Sequence, residues 1–194
     1  MLQRLKTVDG TPAVFADAVW PADGAVQHAA LIALGSLVIA LSAQLVVHLP
    51  FTPVPITGQS FGVLYVGALL GSRRGAAAAA LYLLEGASGL PFFAGATLLG
   101  PTLGYLAGFV PAAYLTGWLA ERGWDRRPWT AFAMTILGSA PILALGLLGL
   151  WRFAGPAGLL AQGLWPFLPG DLVKAAASAG LLPLGWKFLG ARRG

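Results

Sequence analysis

Asp171 and Lys174 are the residues of this chain best placed to do chemistry. They stand three residues apart at the head of its last long apolar stretch, just after Pro166-Phe167-Leu168-Pro169-Gly170. On a helix, positions i and i+3 share a face. The carboxylate accepts N–H donors, and the ammonium donates to a carbonyl or carboxylate. A small ligand carrying both N–H groups and an acid or carbonyl would be complementary to the pair. Ionisable groups in a bilayer persist mainly when paired, facing a cavity or holding something polar. The blander reading is mutual neutralisation at the membrane surface, with the Lys stem snorkelling and Asp171 capping the helix start.

The elements that must position this pair are set by composition. Of 194 residues, 57% are hydrophobic and only 10% charged, which points to an all-α integral membrane protein. Cysteine is absent, so disulfides and thiolate metal ligands are excluded. Two histidines at unrelated positions, His28 and His48, give no dedicated metal site, and no cofactor is expected. The net charge of +5 does not imply a nucleic-acid partner. Its basic residues cluster at the ends of apolar segments, where they orient a membrane protein.

Apolar stretches at about 26–48, 58–71, 75–90, 101–120, 129–150 and 169–190 predict six transmembrane helices in one domain over residues 26–190. The second and third are short for a perpendicular span, so tilt or extension by ordered loop is expected. Residues 1–25 carry Arg4, Lys6, Asp9, Asp17 and Asp23 without a signal-peptide core and read as a cytoplasmic or interfacial lead-in. Arg4 and Lys6, then Arg73 and Arg74, then Arg122, Arg126 and Arg127, then Lys187, Arg192 and Arg193 mark every second connection. The alternate connections 49–57 and 91–100 lack Lys and Arg, and 151–168 has only Arg152. The positive-inside rule therefore places both termini in the cytoplasm.

That topology gathers polar groups in the outer half: Gln44 and His48, Thr57 and Gln59, Tyr82 and Glu85, Thr102 and Tyr105, Asp171 and Lys174. Glu85 has no basic partner on its own helix and either reaches Lys174 across the bundle or stays protonated. Tyr82 and Tyr105 read equally as packing residues. The outer connections are rich in proline and aromatic residues, as in Pro50-Phe51-Thr52-Pro53-Val54-Pro55. Proline restricts an unbound loop, so these segments are expected to be ordered and able to wall a pocket. An apolar, aromatic pocket with a few convergent polar groups suits a small amphipathic ligand.

Small residues at spacing four mark Ala25, Ala29 and Ala33 in the first stretch and Gly100, Gly104 and Gly108 in the fourth. Such spacing lets helices approach closely in lipid. The glycines read as packing within the bundle, the alanines either as packing or as a docking surface. The chain has no nucleotide-binding glycine loop, so coupling to ATP would come from another polypeptide.

Several further runs stand in a fixed order: Thr52-Pro53-Val54-Pro55-Ile56-Thr57-Gly58-Gln59-Ser60-Phe61-Gly62, Leu69-Leu70-Gly71-Ser72-Arg73-Arg74-Gly75, Gly89-Leu90-Pro91-Phe92-Phe93-Ala94-Gly95, Gly100-Pro101-Thr102-Leu103-Gly104-Tyr105 and Pro169-Gly170-Asp171-Leu172-Val173-Lys174. Together with Leu81-Tyr82-Leu83-Leu84 they resemble the biotin-specific substrate-binding (S) subunits of energy-coupling-factor (ECF) transporters, the BioY family, over about residues 13–190. The resemblance implies a six-helix S-component bundle in the bacterial cytoplasmic membrane that captures biotin from outside. It also implies a transmembrane coupling (T) subunit and cytoplasmic ATPase subunits as partners, ATP being used only by them, and release of the vitamin by toppling in the membrane. The family's docking face maps onto Ala29 and Ala33, and its acidic and basic pair onto Asp171 and Lys174. Gln59, Tyr82, Glu85, Thr102 and Tyr105 complete the expected binding set, with Asp171 accepting a ureido N–H and Lys174 pairing with a ligand oxygen.

Two departures stand out. Gly95-Ala96-Thr97-Leu98-Leu99-Gly100 replaces a longer glycine-rich loop of the family, and Glu85 falls where an apolar or small residue is expected. These leave room for an S subunit of another small vitamin or a biotin precursor. An intramembrane enzyme using Glu85, Asp171 and Lys174 is the alternative of another class, but no nucleophile is placed beside a base, so the chain is read as no enzyme.

Overall fold

The computed structural model describes residues 13–21, 24–93 and 100–191. Arg4, Lys6, Asp9, Asp23, Arg192 and Arg193, and the core of the shortened segment at 94–99, lie outside the described residues.

Each of the six apolar stretches forms helix, but with shifted boundaries. The first is α2, Ala25–Ser42, preceded by a short helix, α1, Phe15–Val19. α2 ends six residues before the predicted limit of 48 because Val46–Val47 (β1) pairs antiparallel with Ile56–Thr57 (β2). β-branched residues favour this extended pairing, which closes the connection into a small ladder. Ordered structure was expected there. α3 covers Gln59–Leu70 and α4 Ser72–Ala87. One residue separates them: Gly71, at φ 85°, a conformation that strains any residue with a Cβ. Arg73 and Arg74 therefore lie in the first turn of α4 rather than in a connection.

The fourth stretch is α5, Leu103–Ala107, followed by α6, Phe109–Ala120. After a 3-10 turn at Trp124–Arg126 comes α7, Pro128–Gly163, and after that α8, Leu168–Ala191. α7 runs well past the predicted limit of 150. It breaks at Gly155 (φ 64°, ψ 174°) and resumes at Pro156. Proline needs no N–H donor in the first turn of a helix, so Gly-Pro is both a break and a fresh start. Among the described residues, three helical segments are long and apolar enough to cross a membrane: Ala25–Ser42, Leu103–Ala120 and Pro128–Pro156.

Small residues set how closely these helices pack. A Cβ on Gly67 of α3 would meet the Ala113 backbone of α6, and one on Gly75 of α4 would meet the Gly67 Cα at 2.7 Å. Gly104 and Gly108 abut the α7 backbone at Leu145 and Ile142, as the packing reading of those glycines expected. The largest core cluster includes Ile39, Val63, Leu64, Tyr82, Tyr105, Phe109, Ile142 and Leu150, contributed by α2 to α7. Large apolar side chains such as Leu34, Leu148, Val173 and Phe188 remain exposed on the outside of the bundle.

The end of the bundle opposite the start of α8 is tied by polar and aromatic contacts. Arg74, 8% exposed, makes a two-pronged ion pair with Asp17 of α1 (2.7 and 2.9 Å) and donates from Nε to the Leu70 carbonyl. Phe15 of α1 meets the Trp186 ring of α8 edge-on at 5.6 Å. Glu121 accepts from the Ser72 backbone N–H and hydroxyl, both at 2.8 Å. The part of the lead-in from residue 13 to 19 is thus packed onto the bundle.

Candidate functional site

The cavity lies where α8 begins. Apolar walls come from Val54 and Pro55 of the β1–β2 connection, Leu106 and Phe109 of α5 and α6, Ile142 and Leu143 of α7, and Phe167 just before α8. Polar groups from five segments face it: Thr57, Gln59 and Ser60; Thr102; Tyr105; Ser139; Asp171 and Lys174. Together with the solvent at its open mouth, the space between these groups amounts to about 610 Å³.

Asp171 is buried, 6% exposed, in the first turn of α8, with its backbone N–H bonded to the Phe167 carbonyl. The helix start places a carboxylate where unpaired backbone N–H groups favour negative charge. Lys174 donates to Asp171 Oδ1 at 3.1 Å and to the Ser60 hydroxyl of α3 at 2.7 Å. The ammonium thus bridges two helices at the cavity wall. Both side chains retain some accessibility, 13% for Lys174 and 9% for Asp171, which a sealed structural pair would lack.

Gln59 begins α3 beside Ser60 and is buried. Its amide oxygen accepts from the Thr57 hydroxyl at 3.0 Å, and its amide N–H donates to the Tyr82 hydroxyl. Tyr82 in turn donates to the Phe92 carbonyl at 3.1 Å and lies against the Phe93 and Phe109 rings. Tyr82 stands behind Gln59 rather than at the cavity wall; it fixes the amide that faces the ligand space. Tyr105 lines the cavity, donates to the Gly163 carbonyl at 2.7 Å and packs on Phe167 with ring centres 5.4 Å apart.

Of the residues singled out in the sequence, Gln59, Thr102, Tyr105, Asp171 and Lys174 meet at this cavity. Glu85 does not line it: its carboxylate accepts from the Ser36 hydroxyl of α2, while Lys174 is engaged by Asp171 and Ser60. Ser60, Ser139 and Phe109 join the site without having been singled out. Phe167 had a signal in the aromatic, proline-rich run before Asp171; Ser139 sits in an apolar helix where serine carries none. Ala29 and Ala33 are exposed on α2, whose buried positions are Leu31, Gly35, Ser36, Ile39 and Ala40. The alanine face therefore turns away from the bundle and does not serve internal packing. No cluster of His, Cys, Asp and Glu that could hold a metal occurs among the described residues.

Comparison with known proteins adds the following. The sequence model of the BioY family matches residues 12–191. The chain is 43% identical over 167 residues to the "Biotin transporter BioY" of Rhodobacter capsulatus, covering 72% of this chain and 86% of that one. It is 36% identical over 173 residues to the "Biotin transporter BioY" of Rhizobium etli, covering 81% and 92%. A crystal structure of the S-component for biotin from an ECF-type ABC transporter superposes with a TM-score of 0.72 at 24% identity, over 84% of this chain and 92% of that chain. The architecture is therefore that of an S-component.

Proposed function

This chain belongs to the BioY family, and from that premise we propose that it is the substrate-binding membrane subunit of a biotin importer, taking biotin into the cavity at the head of α8. The relatives are named as transporters, in agreement with a chain that performs no catalytic step of its own. The observation that carries the reading is the Lys174–Asp171–Ser60 cluster beside the Gln59 amide, both on an aromatic cavity wall. Biotin offers ureido N–H donors, a ureido carbonyl, an apolar ring system and a carboxylate. Asp171 accepts a ureido N–H, and Lys174 gives up its Ser60 hydroxyl for a ligand oxygen. Gln59, held by Thr57 and Tyr82, presents a fixed amide; Thr102 and Tyr105 complete the polar wall.

In the same reading residues 26–190 form six membrane-spanning segments, and both termini lie in the cytoplasm of a bacterium with the cavity opening outward. The alternation of basic connections in the sequence supports this, as does the position of Arg74 and Arg126 at the end of the bundle opposite the cavity. A coupling subunit and cytoplasmic ATPases are the partners, meeting the outward alanine face of α2 at Ala29 and Ala33.

The test is equilibrium binding of labelled biotin to the detergent-purified chain, beside Asp171→Asn, Lys174→Met and the double variant. Loss of a charge-assisted hydrogen bond is worth about 1.5–3 kcal/mol, so each single variant is expected to bind about 10–100-fold more weakly. Lys174→Met also leaves the Asp171 carboxylate buried without its cation; the double variant removes that penalty and separates folding from recognition. A well-folded wild-type chain that does not bind biotin overturns the assignment.

A further inference from the structure

The charge carried by the cavity decides which end of a ligand it can take in. Among the described residues that line it, Lys174 is the one cation and Asp171 the one anion, paired at 3.1 Å with 13% and 9% of their side chains accessible. The charge of the wall therefore sums to zero. Arg152 of α7 and His48 just after β1 are exposed and do not line the cavity. The connection 91–100 contains no Lys or Arg. The other polar groups at the wall, among them Gln59, Ser60, Thr102 and Ser139, are neutral.

A ligand carboxylate entering this space would become the second anion on a single ammonium. At hydrogen-bond distance from Lys174 it would lie close to the Asp171 carboxylate, and two carboxylates that share one largely buried cation repel each other. Elsewhere in the cavity it would meet hydroxyls, an amide and apolar side chains, and burying a charge without a counter-charge is costly. At the open mouth the carboxylate keeps its water. A ureido group meets neither penalty. It is neutral, its carbonyl accepts from Lys174, and an N–H donates to the Asp171 oxygen that Lys174 leaves open. The balanced pair thus suits a neutral head that is both donor and acceptor, while Leu106, Phe109, Ile142 and Leu143 receive hydrocarbon.

We propose that the cavity recognises the ureido end of its ligand and leaves the carboxyl end unread in solvent, so that it accepts neutral cyclic ureas with modified tails, the amides and esters of biotin, as well as biotin itself. The inference rests on the reading that this cavity takes biotin, and specifies the end by which it does so.

The test varies the charge of the tail and leaves the head alone. Binding of tritiated biotin to the detergent-purified full-length chain is competed by biotin, with an anionic tail, by biotinamide, with a neutral one, and by the ethylenediamine monoamide of biotin, with a cationic one. The three are expected to bind within about fivefold of one another, because the tail charge meets no buried partner. Lys174→Met is expected to weaken biotin and biotinamide by the same factor, since it removes a contact to the head that both share. A carboxylate held by Lys174 gives a different pattern: biotinamide binds wild type more than about tenfold more weakly than biotin, and Lys174→Met costs biotin far more than it costs biotinamide. That pattern overturns the inference and leaves the transport reading standing. The wild-type series alone separates the two patterns if Lys174→Met fails to fold. Absence of binding by biotin and both amides sinks the transport reading, and the inference with it.

Discussion

At the scale of single residues, the ammonium of Lys174 is shared between the Asp171 carboxylate and the Ser60 hydroxyl at the cavity wall. Asp171 and Lys174 stood out because charge is rare in this chain, and they do meet at a cavity. Ser60 did not stand out, although its hydroxyl takes the Lys174 ammonium. A serine hydroxyl on an apolar helix usually bonds its own backbone, so sequence offers no signal that it faces a partner. Asp125 is another residue whose surroundings only the fold discloses. It sits in the turn between α6 and α7, fully buried, with Oδ2 accepting from Trp186 Nε1 at 2.6 Å and Oδ1 without a partner among the described residues. Burial outweighs the Trp186 hydrogen bond and the charge of Arg126, and pushes its pKa up from 3.8 to about 6. Between those values the folded chain binds more protons than the unfolded one. The protonated Asp125 therefore contributes stability that is fully present below 3.8 and is lost as pH rises through about 6. Asp125→Asn, which keeps a neutral acceptor for Trp186, is expected to flatten the fall in apparent melting temperature across that window. The difference from wild type at pH 7 should be on the order of 2–3 kcal/mol in favour of the variant. An identical pH profile for the two proteins would refute it.

At the scale of elements, existence was readable and ends were not. All six apolar stretches are helical, because a bilayer-length apolar run has few alternatives that satisfy its backbone. Residues 151–168 read as a connection after a helix that ended near 150, yet α7 continues into them, breaks at Gly155 and restarts at Pro156. Val46 and Val47 read as the tail of an apolar helix, whereas pairing with Ile56 and Thr57 holds them extended. α1 was hidden altogether. At five residues it is too short to hold itself together, and it forms where Arg74 and Trp186 receive it. Removing the buried cation should therefore release it: Arg74→Met leaves Asp17 without its partner, and chymotrypsin is expected to cleave after Phe15 at least severalfold faster than in wild type. Unchanged cleavage in a folded Arg74→Met chain would show that Phe15 packing alone holds the helix.

At the scale of the whole molecule, the two ends of the bundle differ in chemistry, and α2 shows why that matters. One end gathers the cavity and the other the Arg74, Glu121 and Asp125 contacts; α8 runs between them, carrying Asp171 at one end and Trp186 near the other. α2 faces inward through Leu31, Gly35, Ser36 and Ile39, and Gly35 lets Leu70 and Ala78 come close. Its opposite face presents Ala29 and Ala33 to the surroundings, among larger exposed side chains such as Val26, Leu34 and Leu37. In lipid no hydrophobic force drives helices together, so a flat small-residue surface attracts a partner helix by close backbone approach. Filling it should block assembly without touching the ligand site, since neither alanine lines the cavity. Ala29→Leu with Ala33→Leu is expected to bind biotin as wild type does while losing at least tenfold in co-purification with a coupling subunit, the scale of about 1.4 kcal/mol of lost contact. Equal co-purification of the two proteins would move the docking surface elsewhere on the bundle. Loss of biotin binding would show that α2 is coupled to the cavity through α4, where Ser36 already meets Glu85.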